Sequence, residues 1–169
     1  TRPVFGVVSR LTEQKGLDLI LEAMPALFEK GARLILLGSG DKALERAFQQ
    51  LQEDYPDHVG LRIGYDEAYS HLIQAGVDSL LIPSRFEPCG LTQLYALKYG
   101  TLPLVRQTGG LADTVFETGD RPNGFVFHNA DVPSLVEAMT RCVECFHDMG
   151  QWRERQANAM SYDFSWEGT

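Results

Sequence analysis

The chain has 169 residues, a formal net charge of −8 and an apolar fraction of 44%. This length suits one well-buried domain and is short for two, and no apolar stretch approaches the roughly 20 residues of a membrane span. The negative charge argues against a broad attraction to nucleic acid or anionic lipid, so any polyanionic ligand must be bound by a few placed cations. The three cysteines do not have the spacing of a disulfide framework, which indicates a soluble protein of a reducing cytoplasm.

Apolar segments of strand length alternate with amphipathic segments of helix length. The pattern predicts strands at Val4–Val8, Arg33–Leu37, Val59–Ile63, Ser79–Ile82, Leu102–Val105 and Phe125–Phe127. It predicts helices at Gly16–Glu29, Asp41–Glu53, Glu67–Ala75, Leu91–Tyr99, Val132–Phe146 and Gln151–Met160. Before the last strand, Thr108–Asn123 is predicted to be mostly loop, with a turn of helix around Leu111–Phe116.

These elements predict an α/β fold. Strands rich in Val, Ile and Leu on both faces, each separated by a helix, are typical of a parallel sheet covered on both sides. We therefore expect one doubly wound, Rossmann-like domain over residues 1–169. Ligands of such sheets bind beyond the carboxyl ends of the strands, where the strand order reverses. The loops to search are those that follow Val8, Leu37, Ile63, Ile82 and Val105.

The loop after the first strand carries two cations, Arg10 and Lys15, the second beside the start of a helix. Guanidinium and ammonium groups that converge near a helix N-terminus are suited to hold a diphosphate and the charge of a leaving group. An arbitrary pair of this kind is more typical of a solvated basic loop. Its position at the mouth of the sheet improves the case for a binding site without deciding it.

The loop after Ile82 combines a carboxylate, a glycine and a helix start. Gly90 lets a ligand approach the backbone closely, and the amides of Leu91 and Thr92 point donors at an anion. Glu87, just before them, is placed to accept hydrogen bonds from sugar hydroxyls or to stabilise developing positive charge. From spacing alone, an acid that helps to cap the helix is an equally good interpretation of Glu87.

Weaker candidates follow the other strands. Gly38–Gly40 is a fragment of the dinucleotide-binding fingerprint, but the missing third glycine counts strongly against a Rossmann dehydrogenase. Gly109 and Gly110 would let the backbone approach a ligand, although a plain turn explains them as well. Tyr65 would be able to stack on a base, as would many exposed tyrosines.

Metal and triad motifs are not found in the sequence. Cys142 and Cys145 have C-x-x-C spacing inside a predicted helix with no second ligand pair, which favours core packing over a metal site. No histidine has the spacing of a catalytic triad or a zinc site, and phosphate-loop, kinase and nucleophile-elbow patterns are missing.

Three segments together resemble the signatures of bacterial and plastid glucan synthases. They are Val8–Gly16 (VSRLTEQKG), Ser84–Gln93 (SRFEPCGLTQ) and Thr108–Val115 (TGGLADTV), in the same order and with matching separation. The similarity runs from Pro3 to the segment around Trp166. Such glycogen and starch synthases are retaining glycosyltransferases of the two-domain GT-B type. The resemblance implies that this chain is the C-terminal, nucleotide-sugar-binding domain of one.

The resemblance also implies a reaction: transfer of glucose from ADP-glucose to the non-reducing end of an α-1,4-glucan, with no metal or other cofactor. Arg10 and Lys15 would contact the donor phosphates and stabilise the departing ADP. Glu87 would hold hydroxyls of the glucosyl ring. Cys89 and the backbone of residues 90–92 would line the site for glucose and the distal phosphate.

The identity of the nucleotide rests on two tyrosines. By the resemblance, Tyr65 would stack on adenine. Tyr95 stands where many related transferases have a second glutamate that contacts the ribose, which favours the glucan-synthase branch over enzymes that use UDP- or GDP-sugars. A transferase for a UDP-sugar and a non-catalytic nucleotide- or glucan-binding module remain the alternatives.

The resemblance implies that part of the working enzyme lies elsewhere. The family's N-terminal domain supplies a lysine-rich loop, a histidine and most acceptor contacts, and neither it nor the usual final C-terminal helix is found in these 169 residues. We therefore expect the isolated chain to bind ADP weakly and to lack synthase activity. The expected location is the bacterial cytoplasm, or a plastid if the source is a plant.

Overall fold

A central parallel sheet organises the molecule. The computed structural model describes residues 2–86 and 91–162. Six strands lie in the order β3-β2-β1-β4-β5-β6, and every neighbouring pair is parallel. They are β1 (Val4–Leu11), β2 (Arg33–Gly40), β3 (Val59–Ile63), β4 (Ser79–Ile82), β5 (Leu102–Arg106) and β6 (Phe125–Phe127). The predicted doubly wound α/β fold is confirmed.

Helices connect the strands and cover both faces of the sheet. They are α1 (Leu17–Phe28), α2 (Lys42–Asp54), α3 (Glu67–Gly76), α4 (Thr92–Tyr99), α5 (Val132–Phe146) and α6 (Met149–Met160). Within the described ranges, no helix is long and apolar enough to cross a membrane.

Side-chain alternation along the strands builds a core on each face. On β2, Leu36 packs into the larger core, under α1 and α5, whereas the next residue, Leu37, packs into the smaller core, with Ile73 of α3 and Ala96 of α4. Successive side chains of a strand point to opposite faces, so apolar residues at consecutive positions require helices on both sides. The continuous Val, Ile and Leu runs of the sequence have this physical origin.

The first two strands are longer than the sequence pattern predicts. Parallel pairing of β1 with β2 continues from Val8 opposite Leu37 to Leu11 opposite Gly40, so the predicted strand ends at Val8 and Leu37 were wrong. Polar residues and glycines end the apolar pattern there, but backbone pairing does not depend on side-chain polarity. The segment that carries Arg10 is therefore strand rather than loop.

Two smaller differences concern helices. The helical turn predicted around residues 111–116 lies earlier, as a short 3₁₀ turn at Gly109–Leu111. Helix α6 begins at Met149, two residues before the predicted start, because the Asp148 carboxylate accepts a hydrogen bond from the Gln151 amide and caps it there.

Candidate functional site

The central strands β1 and β4 mark the switch point of the sheet. From β1 the chain crosses to β2 on one side, and from β4 it crosses to β5 on the other. These two strands pair at only two positions, Phe5 opposite Ser79 and Gly6 opposite Leu80. Beyond them, toward the carboxyl ends, no pairing holds the strands together. A crevice opens at this point, which is where ligands of doubly wound sheets bind.

A pocket of about 220 Å³ occupies this crevice. Its walls are the last residues of β1, the loop that follows β4 and the starts of α1 and α4. The lining residues are Val7, Val8, Ser9, Arg10, Lys15, Leu17, Leu81, Ile82, Pro83, Ser84 and Thr92. The structure thus brings together Arg10, Lys15 and Thr92, although the last lies far along the chain from the first two.

The two helices that begin at this pocket differ from the other four at their N-termini. An aspartate side chain caps each of α2, α3, α5 and α6 by accepting a hydrogen bond from a backbone amide three residues later. The corresponding residues of α1 and α4 are Gly16 and Leu91, whose side chains have no acceptor atom. Neither cap residue thus places a side-chain acceptor on the first amides of α1 or α4, although the Asp18 carboxylate lies in the first turn of α1. Helix N-termini of this kind are suited to hold an anion.

A second pocket of about 370 Å³ adjoins the first. Both pockets share Val8, Ser9 and Arg10, so Arg10 lies at their boundary. The second is lined further by Leu37, Gly38, Ser39, Gly64 and Tyr65, from the ends of β2 and β3. The Tyr65 side chain is 76% exposed, so its ring is available for stacking against a planar group.

The structure does not bring every predicted residue to the wall of these two pockets. Leu91, which was predicted to contribute its backbone amide, lines neither pocket, and its side chain lies with Leu94, Tyr95 and Lys98 on the outer surface of α4. Gly109 and Gly110 form the 3₁₀ turn after β5 and line neither of the two pockets. Three predicted residues, Glu87, Cys89 and Gly90, lie outside the described residues.

A buried polar link connects the second and third family-like segments. Gln93 is 1% exposed, and its side-chain amide donates to the Thr114 hydroxyl at 3.3 Å. That hydroxyl lies 3.2 Å from the Gly110 carbonyl, to which it donates. The turn that carries Gly109 and Gly110 is thereby tied to the first turn of α4.

The sequence interpretation missed an ion pair beside the pocket. Arg85, in the loop after β4, donates to both carboxylate oxygens of Asp18 in the first turn of α1, at 2.7 and 2.8 Å. These hydrogen bonds hold the pKa of Asp18 below its ordinary value and raise that of Arg85. The partners are 67 residues apart, so no local pattern points to the pair.

Arg106, at the end of β5, was missed for the same reason. Its guanidinium donates to the Ser84 carbonyl at 2.9 Å and to the His128 carbonyl at 3.0 Å. A further hydrogen bond goes to the carbonyl of Arg85. Arg106 thereby fixes the loop after β4 from the side opposite α1.

The C-x-x-C segment is part of the core. Cys142 is fully buried and Cys145 is 6% exposed, as core packing predicts. Burial raises the pKa of the Cys142 thiol. In residues 2–86 and 91–162, no group of three or more His, Cys, Asp or Glu side chains is arranged to hold a metal ion.

Residues 1–159 match the family model described as glycosyl transferases group 1. The chain belongs to this family.

The chain is similar to two bacterial glycogen synthases. The chain is 70% identical over 166 residues to the enzyme from Marinomonas sp. (strain MWYL1), covering 98% of this chain and 35% of that one. It is 55% identical over 171 residues to the enzyme from Serratia proteamaculans (strain 568), covering 98% and 36%. The chain thus spans about a third of the length of these relatives.

Solved structures agree with the architecture of this group 1 member. The catalytic domain of starch synthase IV from Arabidopsis thaliana, bound to ADP and acarbose, matches with a TM-score of 0.89 and 40% identity, over 99% of this chain and 36% of that one. Sucrose-phosphate synthase from Thermosynechococcus elongatus matches with a TM-score of 0.76 and 25% identity, over 94% and 39%.

Proposed function

We propose that this chain is the donor-binding half of a retaining glucosyltransferase that transfers glucose from ADP-glucose to the non-reducing end of an α-1,4-glucan. The observation that carries the proposal is the pocket between β1 and β4, where Arg10 and Lys15 meet the N-termini of α1 and α4. Similarity to glycogen synthases, and to a starch synthase solved with ADP, supports the choice of reaction.

The charges of the pocket suit the departure of a nucleoside diphosphate. When the bond between glucose and the diphosphate breaks, negative charge accumulates on the leaving oxygen. In this proposal Arg10, Lys15 and the amides at the start of α4 surround that charge and lower the barrier. The amides at the start of α4 are fixed by the helix, so they need little reorganisation as the charge develops.

The two adjoining pockets accommodate successive parts of the donor. The diphosphate lies in the pocket with Lys15, and the nucleoside extends past Arg10 into the neighbouring pocket, where adenine stacks on Tyr65. By the resemblance, Glu87 would hold the glucosyl hydroxyls, and Cys89 with the Gly90 backbone would line the site for glucose and the distal phosphate. By the resemblance, Gly109 and Gly110 would also belong to the donor site, although they line neither of the two pockets.

The acceptor is proposed to be bound by a second domain, which the greater length of the relatives provides. We propose the cytoplasm as the location, in keeping with the bacterial relatives. A transferase for UDP-sugars and a binding module without catalytic activity are the competing functions that an experiment must separate.

The decisive experiment is calorimetric titration of the purified chain with ADP and, in parallel, with UDP. We expect ADP to bind more tightly than UDP, and Lys15→Ala to weaken ADP binding roughly tenfold or more, because a charge-assisted hydrogen bond is lost. The matched control is Lys30→Ala, which removes the same charge from the exposed segment between α1 and β2, at the opposite edge of the sheet.

Each outcome separates the candidates. Tighter binding of UDP would favour a UDP-sugar enzyme. Equal effects of Lys15→Ala and Lys30→Ala would mean that the affinity reflects net charge rather than this pocket. Failure to bind either nucleotide would contradict the placement of the donor site in this chain.

A further inference from the structure

The Asp18–Arg85 ion pair joins the two loops that flank the nucleotide pocket. Asp18 lies in the first turn of α1, and Arg85 lies three residues after the last residue of β4. Both side chains are about two-thirds shielded from solvent, with exposures of 28% and 35%. The contact is bidentate, the geometry in which a guanidinium fixes a carboxylate in orientation as well as distance.

Arg85 also holds the backbone immediately before Lys15. Its amide donates to the Gln14 carbonyl at 2.8 Å, and its guanidinium donates to the Glu13 carbonyl. Two successive carbonyls of the β1–α1 turn are thus bound by one residue of the other loop. The next residue along the chain is Lys15, whose ammonium group is proposed to reach the donor phosphates.

The same turn is pressed against the β4 loop at Gly16. A Cβ atom on Gly16 would lie 2.1 Å from the Pro83 carbonyl oxygen, so the two backbones are in direct contact. Lys15 therefore lies between two points at which its turn is attached to the loop after β4. On the far side of that loop, Arg106 fixes the Ser84 carbonyl.

The charge of Arg85 is already matched by the carboxylate of Asp18. A guanidinium so engaged is a poor ligand for a second anion, in contrast to Arg10, from whose side chain no described residue accepts a hydrogen bond. We propose that Asp18 and Arg85 are positioning residues, which hold the β1–α1 turn so that Lys15 meets the phosphates of the bound nucleotide. This inference rests on the proposed function, since it assigns the pair to the same donor site.

Affinity for ADP, compared with adenosine, tests the inference. Asp18→Asn and Arg85→Lys each remove the bidentate contact while keeping a polar side chain in place. We expect each to weaken ADP binding roughly five- to tenfold and the double variant to be no weaker than the weaker single one, because both break the same contact. Adenosine has no phosphate for Lys15 to meet, so its affinity should stay unchanged, which general loosening of the fold would not allow.

Glu117→Gln is the matched control. Glu117 forms a comparable ion pair with Arg141 on α5, at 2.6 Å, away from the nucleotide pocket. We expect this variant to bind ADP as the unmodified chain does. If Asp18→Asn does not fold, Arg85→Lys carries the test, since it retains the positive charge.

Two results would overturn the inference. If Asp18→Asn bound ADP as tightly as the unmodified chain or more tightly, Arg85 would be a phosphate ligand or the pair would have no role in binding. If the Gly16 amide, which donates to Glu13, exchanged its hydrogen at the same rate in Asp18→Asn, the turn would not depend on the pair. The exchange measurement needs no nucleotide, so it still decides the inference if the unmodified chain fails to bind ADP and the proposed function falls.

Discussion

At the scale of single residues, the arginines around the pocket differ in what they bind, which the sequence alone does not reveal. The Arg85 guanidinium donates to Asp18 of α1 and to the Glu13 carbonyl in the turn after β1. The Arg106 guanidinium donates to the Ser84 and His128 carbonyls, after β4 and β6. Arg10 lies at the boundary of the two pockets, and no described residue accepts a hydrogen bond from its side chain. Arg10 is therefore the arginine of this region whose donors remain for a ligand.

The carboxylate of Asp78, at the amino-terminal ends of the strands and opposite the pocket, gives a prediction for how stability depends on pH. Burial raises the pKa of Asp78 above its ordinary value of 3.8, although its carboxylate accepts a hydrogen bond from the Val4 amide at 2.8 Å. The folded state thus favours the protonated form. Its contribution to stability is full below the unfolded-state pKa and is lost as the pH rises through the folded-state pKa.

We expect Asp78→Asn to gain stability relative to the unmodified chain as the pH is raised from about 4 to about 7. An asparagine oxygen still accepts the hydrogen bond from Val4 and carries no charge to desolvate. Urea unfolding at several pH values measures the difference. Asp120→Asn, in an exposed loop, is the control and should show no such trend. A relative loss of stability for Asp78→Asn toward neutral pH would contradict the assignment.

At the scale of elements, the turn between β1 and α1 is the most constrained connection of the site. Gly16 has a φ of 77°, in the left-handed region, and its α-carbon lies against the Pro83 carbonyl. Only a residue without Cβ fits both conditions. The close contact between this turn and the loop after β4 sets how near Lys15 comes to α4.

Gly16→Ala is expected to destabilise the chain by about 2 kcal/mol or more, because it adds backbone strain and a collision with Pro83. Gly76→Ala, at the end of α3, is the control, since nothing lies within 4 Å of the added Cβ. That variant should be neutral or slightly stabilising. Thermal or urea unfolding compares the two, and equal effects would show that the turn tolerates a side chain.

At the scale of the whole molecule, the sequence predicts the elements better than their arrangement. Strand and helix types follow from apolar spacing, and all six predicted strands are present. The order of strands does not follow from spacing, because periodicity tells which face of an element is buried but not which neighbour it meets. Arg10 and Lys15 were found because they follow the apolar run of the first strand. The Asp18–Arg85 pair forms only when the sheet brings together the start of α1 and the loop after β4.

If donor and acceptor are bound by different domains, as proposed, the isolated chain should lack transferase activity. Given ADP-glucose and glycogen, the purified chain should transfer no glucose, because the acceptor contacts are proposed to lie outside it. Release of ADP, measured in a coupled assay, reports the transfer, and a full-length glycogen synthase is the positive control. Elongation at a rate comparable with that enzyme would overturn the proposal that this chain is only the donor-binding half.

The pairing between β1 and β4 is the shortest of the five strand pairings in the sheet. Only two residue pairs join these strands, compared with eight between β1 and β2. The line between β1 and β4 also separates the first half of the chain from the second, and the nucleotide is proposed to lie across it with contacts on either side. A bound nucleotide would then stabilise the contact between the two halves. A ligand at 100 times its Kd adds about 2.7 kcal/mol to the free energy of unfolding. The donor would thus stabilise the fold by joining the two halves of the chain where their strands share the fewest pairs.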